Sequence, residues 1–205
     1  MPVYALAALG LTVPQLPGWK RDDTAALTDL NQGGTALRLV RESAPAGSPR
    51  IQVEVAPRGD GALELEAYVQ QSLRDMGQLE STGSLRITHV EQQPTRVGPR
   101  KAYRIRHEYL LGKGTDAIAV TQVTTLMILD GRGISITAVG RTELFHPLSA
   151  AVDEVISGIS TTASPVPSEP VQVLKPVPLR SLSNGGQGAE SNATAPIDLG
   201  KLGGQ

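Results

Sequence analysis

The 205-residue sequence contains no cysteine. That excludes disulfides, thiol chemistry and Cys-ligated zinc, and leaves the redox compartment open. Aromatic residues make up only 3%, which argues against a stacking platform for bases or sugars. Neither sign of charge dominates: 19 Lys and Arg face 20 Asp and Glu, for a net charge of −1. That balance gives no global drive toward nucleic acid or an anionic membrane. No apolar run reaches the roughly 18 residues that a spanning helix needs. A core in this chain is therefore aliphatic, built from Leu, Ile, Val and Ala.

The N-terminus, MPVYALAALGLTVPQLPGW, is apolar from Val3 to Val13. No Lys or Arg precedes that run, and no small-x-small cleavage site leads into a mature start, so it reads as a strand of the domain and not as a sorting signal. With Met1 as the native start the expected location is the cytoplasm. If Met1 is not the native start, the alternative is the periplasm or the envelope.

Composition changes near Ser160. The segment after it is rich in Pro, Gly, Ser and Ala and has no aromatic residue. Such a segment cannot bury enough apolar surface to offset its ordering entropy. One folded domain is expected over 1–160 and a disordered tail over 161–205. Pro165, Pro167, Pro170, Pro176 and Pro178 favour extended structure early in the tail.

Within 1–160 the periods alternate. Tyr4–Val13 reads as one strand, followed by a turn at LPGW, 16–19. Ala25–Leu30 and Thr35–Glu42 flank Gly33-Gly34, a hairpin signal. Ile51, Val53 and Val55 alternate with polar residues, as in a half-buried strand. Leu65, Tyr68, Val69, Leu73, Met76 and Leu79 recur at helical spacing and predict an amphipathic helix over about 63–80. Strands follow at Leu85–Val90, Tyr103–Leu111, Ile118–Leu129 and Ile134–Val139. His146 and Pro147 open a second helix carrying Leu148, Val152, Val155, Ile156 and Ile159. Strands on short hairpins with two amphipathic helices predict an α+β fold, an antiparallel sheet covered by those helices.

No residues converge on a reaction. GKGT at 112–115 lacks the first glycine of a phosphate loop, and no helical pattern follows it, so it reads as a hairpin loop. His89, His107 and His146 show no metal-ligand spacing, and no cofactor or catalytic residue is expected. His107 falls on the apolar face of its strand and reads as a hydrogen-bonded core histidine. One cluster, RVGPRKAYRIRH over 96–107, is basic. Arg100, Arg104 and Arg106 in it are candidates for contact with an acidic partner, against the alternative of a solvated sheet face offset by Glu91 and Glu108. In the tail, PIDLGKL over 196–202 suits a docking peptide in which Ile197, Leu199 and Leu202 enter a groove. The alternative is a passive end with chance apolar residues.

The order of elements resembles a known family. VYALAALGLTVPQLPGWKRDDTAALTDL resembles the opening of bacterial DcrB-like domains of the Mog1/PsbP-like superfamily, with Leu16, Pro17, Trp19 and Asp22 or Asp23 at its turn. GALELEAYVQQSLRDM, VGPRKAYRIRHEY and VTQVTTLMILDGRGISITAVGRTELFHPLSAAVDEVISGI look like its helix, its central strand and its closing hairpin and helix. The resemblance covers about 3–160. It implies a Mog1/PsbP-like fold and a non-enzymatic, protein-binding role. Similarity to the Eag-type chaperones of type VI secretion implies a cytosolic chaperone or adaptor of a secretion effector. A cargo role, with the tail loosely similar to encapsulin-loading peptides, and an envelope-associated accessory role are the alternatives. A homodimer is also compatible. The aliphatic composition predicts a partner bound through an apolar sheet surface, with little dependence on salt.

Overall fold

Apolar and polar residues alternate along most of the strands, and a strand with that period buries one face per pleat. In the computed structural model, which describes residues 2–22, 32–42, 44–57 and 63–161, the elements follow in the order β1 (Val3–Leu6), β2 (Leu11–Pro14), β3 (Trp19–Arg21), β4 (Gly34–Arg41), β5 (Arg50–Val55), α1 (Leu65–Ser81), β6 (Leu85–Val97), β7 (Arg100–Leu111), β8 (Ile118–Leu129), β9 (Arg132–Arg141), α2 (Thr142–Phe145), α3 (Ser149–Gly158) and β10 (Ser160–Thr161). Seven strands form one antiparallel sheet in the order β3-β4-β5-β9-β8-β7-β6. A small second sheet has the order β1-β2-β10.

Three expectations are refined. The single strand over Tyr4–Val13 is a hairpin: a 3-10 turn at Ala7–Leu9 and Gly10 in the left-handed region (φ 60) separate β1 from β2, so that Val3 pairs with Pro14 and Leu6 with Leu11. Glycine populates that region without a Cβ penalty, which a period-2 reading overlooks. The helix expected from His146 starts earlier and is divided. α2 precedes a 3-10 turn at His146–Leu148, with Pro147 in its first turn, and α3 follows. The strand expected over Leu85–Val90 runs on to Val97, with a bulge at Thr88. The strand at 25–30, and with it the partner expected across Gly33-Gly34, lies outside the described residues. So does 162–205, including Ile197, Leu199 and Leu202. Ser160 and Thr161 pair with Thr12 and Leu11, so described structure continues past the expected boundary at 160.

The two faces of the large sheet are covered differently. On one, Leu37, Leu39, Ile51, Val53, Val123, Met127, Ile134, Ile136 and Ala138 meet Phe145, Val152, Val155 and Ile156 from α2 and α3, with Leu11 and Val13 of β2 closing the rim. This is the main core. On the other face α1 lies across β6, β7 and β8. Tyr68, Val69 and Leu73 of α1 pack on Tyr103, Ile105 and Leu126, and Met76 packs near Tyr109, Val120 and Val139.

Gly140 of β9 marks a close approach. A Cβ there would stand 2.8 Å from the backbone of Pro49. Backbone cannot swing aside as a side-chain end can, so Gly140→Ala should cost about 1–3 kcal/mol. Chemical denaturation checks this; an unchanged midpoint would show that the Pro49 segment yields.

Candidate functional site

The basic cluster lies on β7, whose even-numbered residues face the side covered by α2 and α3. Each of its three candidate arginines has an acidic neighbour. Arg100 lies 3.7 Å from Asp130, Arg104 bonds to Asp153 of α3, and Arg106 donates to Glu108 at 2.8 Å and 3.2 Å. Arg96 donates to the carbonyl of Pro99. The hydrogen bond and charge of Arg106 hold the Glu108 carboxyl below its usual range, with smaller contributions from His89 and His146. The surface is one of mixed charge and not a cationic patch. The register extends it onto β6, where Glu91 pairs with Arg106 and Gln93 with Arg104.

On the opposite face a row of polar side chains separates the two apolar clusters under α1. The register places His107 beside Gln122, Thr124 beside Thr137, Thr137 beside Gln52, and Ser135 beside Glu54. Tyr109 donates its hydroxyl to Gln122 Oε1 (3.2 Å), Gln122 Nε2 donates to Thr124 (3.2 Å), and Thr124 and Thr137 share a bond of 3.3 Å. Arg50 donates to Gln52, and Ser135 to Glu54. Burial drives the Glu54 carboxyl above its usual value; its bonds to Ser135 and Thr35 and the charges of Arg38 and Arg50 oppose the shift. Burial also pushes the Tyr68 hydroxyl up to about 12. These bonds satisfy the buried groups and pin the register, since a one-residue slip would turn the row outward.

His107 is the exception. It is 1% exposed, as expected of a core residue, but neither ring nitrogen has a hydrogen-bond partner among the described residues. The hydrogen-bonded histidine expected from the sequence is therefore corrected. Burial pushes its pKa down to about 4, which keeps the imidazole neutral at physiological pH. The period-2 pattern exposes burial but carries no information about cross-strand polar partners, and the register sets Gln122 beside His107.

The apolar sheet surface expected for a partner is covered by the chain's own helices. Among the described residues Val3, at 48%, is the only large hydrophobic side chain that is exposed. What stays open is polar. Arg86, His89, Glu91, Gln93 and Pro94 of β6 are exposed, and no described strand pairs with the outer edge of β6.

No protein-family model and no curated protein matches the chain. Solved structures do. The solution structure of cyanobacterial PsbP (CyanoP) from Synechocystis sp. PCC 6803 superposes with a TM-score of 0.56 at 11% identity, covering 78% of this chain and 91% of that one. The crystal structure of LpqN, involved in cell envelope biogenesis of Mycobacterium tuberculosis, gives 0.51 at 14% identity, covering 75% and 83%. The Saccharomyces cerevisiae Ran-binding protein Mog1p gives 0.44 at 13% identity, covering 78% and 95%. At these identities the likeness is one of fold, and the first two structures carry it. The chain has the Mog1/PsbP-like α+β fold expected from its sequence.

Proposed function

We propose that this is a non-enzymatic protein-binding domain that acts as an adaptor and receives its partner on the open face and free edge of β6 and β7. The observation that carries this reading is the 13-residue edge strand β6, with no described strand on its outer side and with Arg104, Arg106, Glu108 and Glu91 beside it. A free edge offers backbone hydrogen bonds to an added strand, and charges of both signs beside it select partner and register. Pro94, the bulge at Thr88 and the charged side chains interrupt that edge, which disfavours indiscriminate pairing and leaves room for a matched partner.

Within this reading, the resemblance to Eag-type proteins supports an adaptor or chaperone of a secretion effector, acting in the cytoplasm. A mixed-charge surface makes binding sensitive to salt, contrary to the apolar contact inferred from composition. Arg104→Glu with Arg106→Glu should weaken capture of the native partner at least about tenfold. The melting temperature should fall only modestly, because these partly exposed ion pairs contribute only about 0–1 kcal/mol each. Crosslinking and affinity measurement with the full chain check this. Undiminished capture by the double variant would exclude the β6–β7 face.

A further inference from the structure

The turn from α1 into β6 and the loop from β7 into β8 lie side by side at one end of the large sheet. Between them is a cleft of about 520 Å³, within the range of roughly 300–1,000 Å³ that is usual for small-ligand sites. Its walls are of two kinds. Leu110 and Ala117 supply apolar surface, and Arg86 and Lys113 supply two cations; Leu85, also at the cleft, turns its side chain to the opposite face and is buried under α1. Arg86 and Leu110 are cross-strand partners, so their side chains share one face of the sheet and a cation stands directly beside an apolar wall.

Among the described residues no acidic side chain lines the cleft. Neither Arg86 nor Lys113 has an ion-pair partner among the described residues. The three candidate arginines of β7 are paired, so this pair of cations is distinct from them. Asp116 sits in the 3-10 turn of the same loop but outside the lining.

The loop backbone is itself accessible. Gly112 and Gly114 have φ of 86° and 68°, a conformation that glycine adopts without strain. A Cβ placed at Gly114 would meet no atom within 4 Å. Within this turn the described loop hydrogen bond runs from the Ala117 amide to the Gly114 carbonyl. GKGT is a hairpin loop and not a nucleotide phosphate loop, as its sequence indicates, yet its fold sets Lys113 and bare glycine backbone opposite Arg86.

We propose that this cleft binds a small amphipathic anion, a phosphate or carboxylate head on a short aliphatic tail. The head lies between the Arg86 guanidinium and the Lys113 ammonium, where charge-assisted hydrogen bonds are strongest. The tail lies on Leu110 and Ala117, where burial of apolar surface favours it. A bare inorganic anion uses only half of the site, and a neutral alcohol only the other half.

The full chain, labelled with ¹⁵N, is titrated with octyl phosphate, octanoate, octanol and inorganic phosphate, and the amide shifts of Gly112 and Gly114 are followed. Saturable shifts are expected with octyl phosphate or octanoate. The tighter of the two identifies the head group. Binding should weaken at least about tenfold in Arg86→Gln/Lys113→Gln, and by a comparable factor in the unaltered protein at about 1 M salt, where such charges are screened. Both side chains are exposed, so the variant should melt with the native protein; if it does not fold, the salt series gives the same readout. The proposal is overturned if neither amphipathic anion gives saturable shifts, or if octanol or inorganic phosphate binds as well as they do. It is equally overturned if neither the double substitution nor salt weakens binding.

Discussion

Phe145→Ala should remove about 3–5 kcal/mol of unfolding free energy, the usual cost of deleting a buried aromatic side chain. Phe145 is 1% exposed and is the only phenylalanine in the chain. It ends α2 and packs into the same cluster as Met127, Ile134 and Ile136, together with Val152 and Val155 of α3. These neighbours stand on two strands and a helix. The truncation thus removes apolar burial and leaves a cavity. Urea denaturation measures the change, and the slope of the transition should be preserved if the native and unfolded states keep their extent. A loss below about 1 kcal/mol would mean that the helical layer closes over the gap, and that α2 does not anchor this face as the packing indicates.

His107→Leu should have the opposite sign at neutral pH. The imidazole is buried without a partner, and an unsatisfied buried polar group costs about 1–3 kcal/mol, so an apolar side chain of similar size should stabilise the domain. The larger effect is in the pH dependence. Burial lowers the folded-state pKa from the ordinary 6.5 to about 4. The unfolded chain therefore takes up that proton first. Stability from this site is complete above about pH 6.5 and declines as pH falls toward 4, by about 3 kcal/mol in all. Glu54 acts in the other direction. Its carboxyl is raised in the folded state, so the folded protein binds that proton more readily and gains relative stability as pH falls. The difference between His107→Leu and the unaltered protein, followed by denaturation from pH 7 to 4, isolates the histidine. Parallel curves would show that His107 does not titrate between folded and unfolded states, and that the cost of its burial is met within the native structure.

Local pattern determined much of this protein. The spacing of Tyr68, Val69, Leu73 and Met76 specified α1, and the alternation from Tyr103 to Leu111 specified which side of β7 is buried. Both signals are periodic and short-range, so they survive in one dimension. The break of β1 from β2 depends on a left-handed Gly10, and the extension of β6 past Val90 depends on pairing with Arg100–Arg106; neither leaves a period in the sequence. The candidate site was less legible. Arg100, Arg104 and Arg106 were visible as a basic cluster, but Asp153 is remote in sequence and reaches Arg104 only when α3 folds back across the sheet. The orphaned His107 depends on the register of β7 against β8. The juxtaposition of Arg86 and Lys113 needs two loops brought to one end of the sheet. Composition indicated aliphatic surface to bury and not where it would go. Tertiary packing decided that: the helices cover the apolar faces because leaving them in water costs more than ordering the connections. Among the described residues the surface left open is the charged face and edge of β6 and β7.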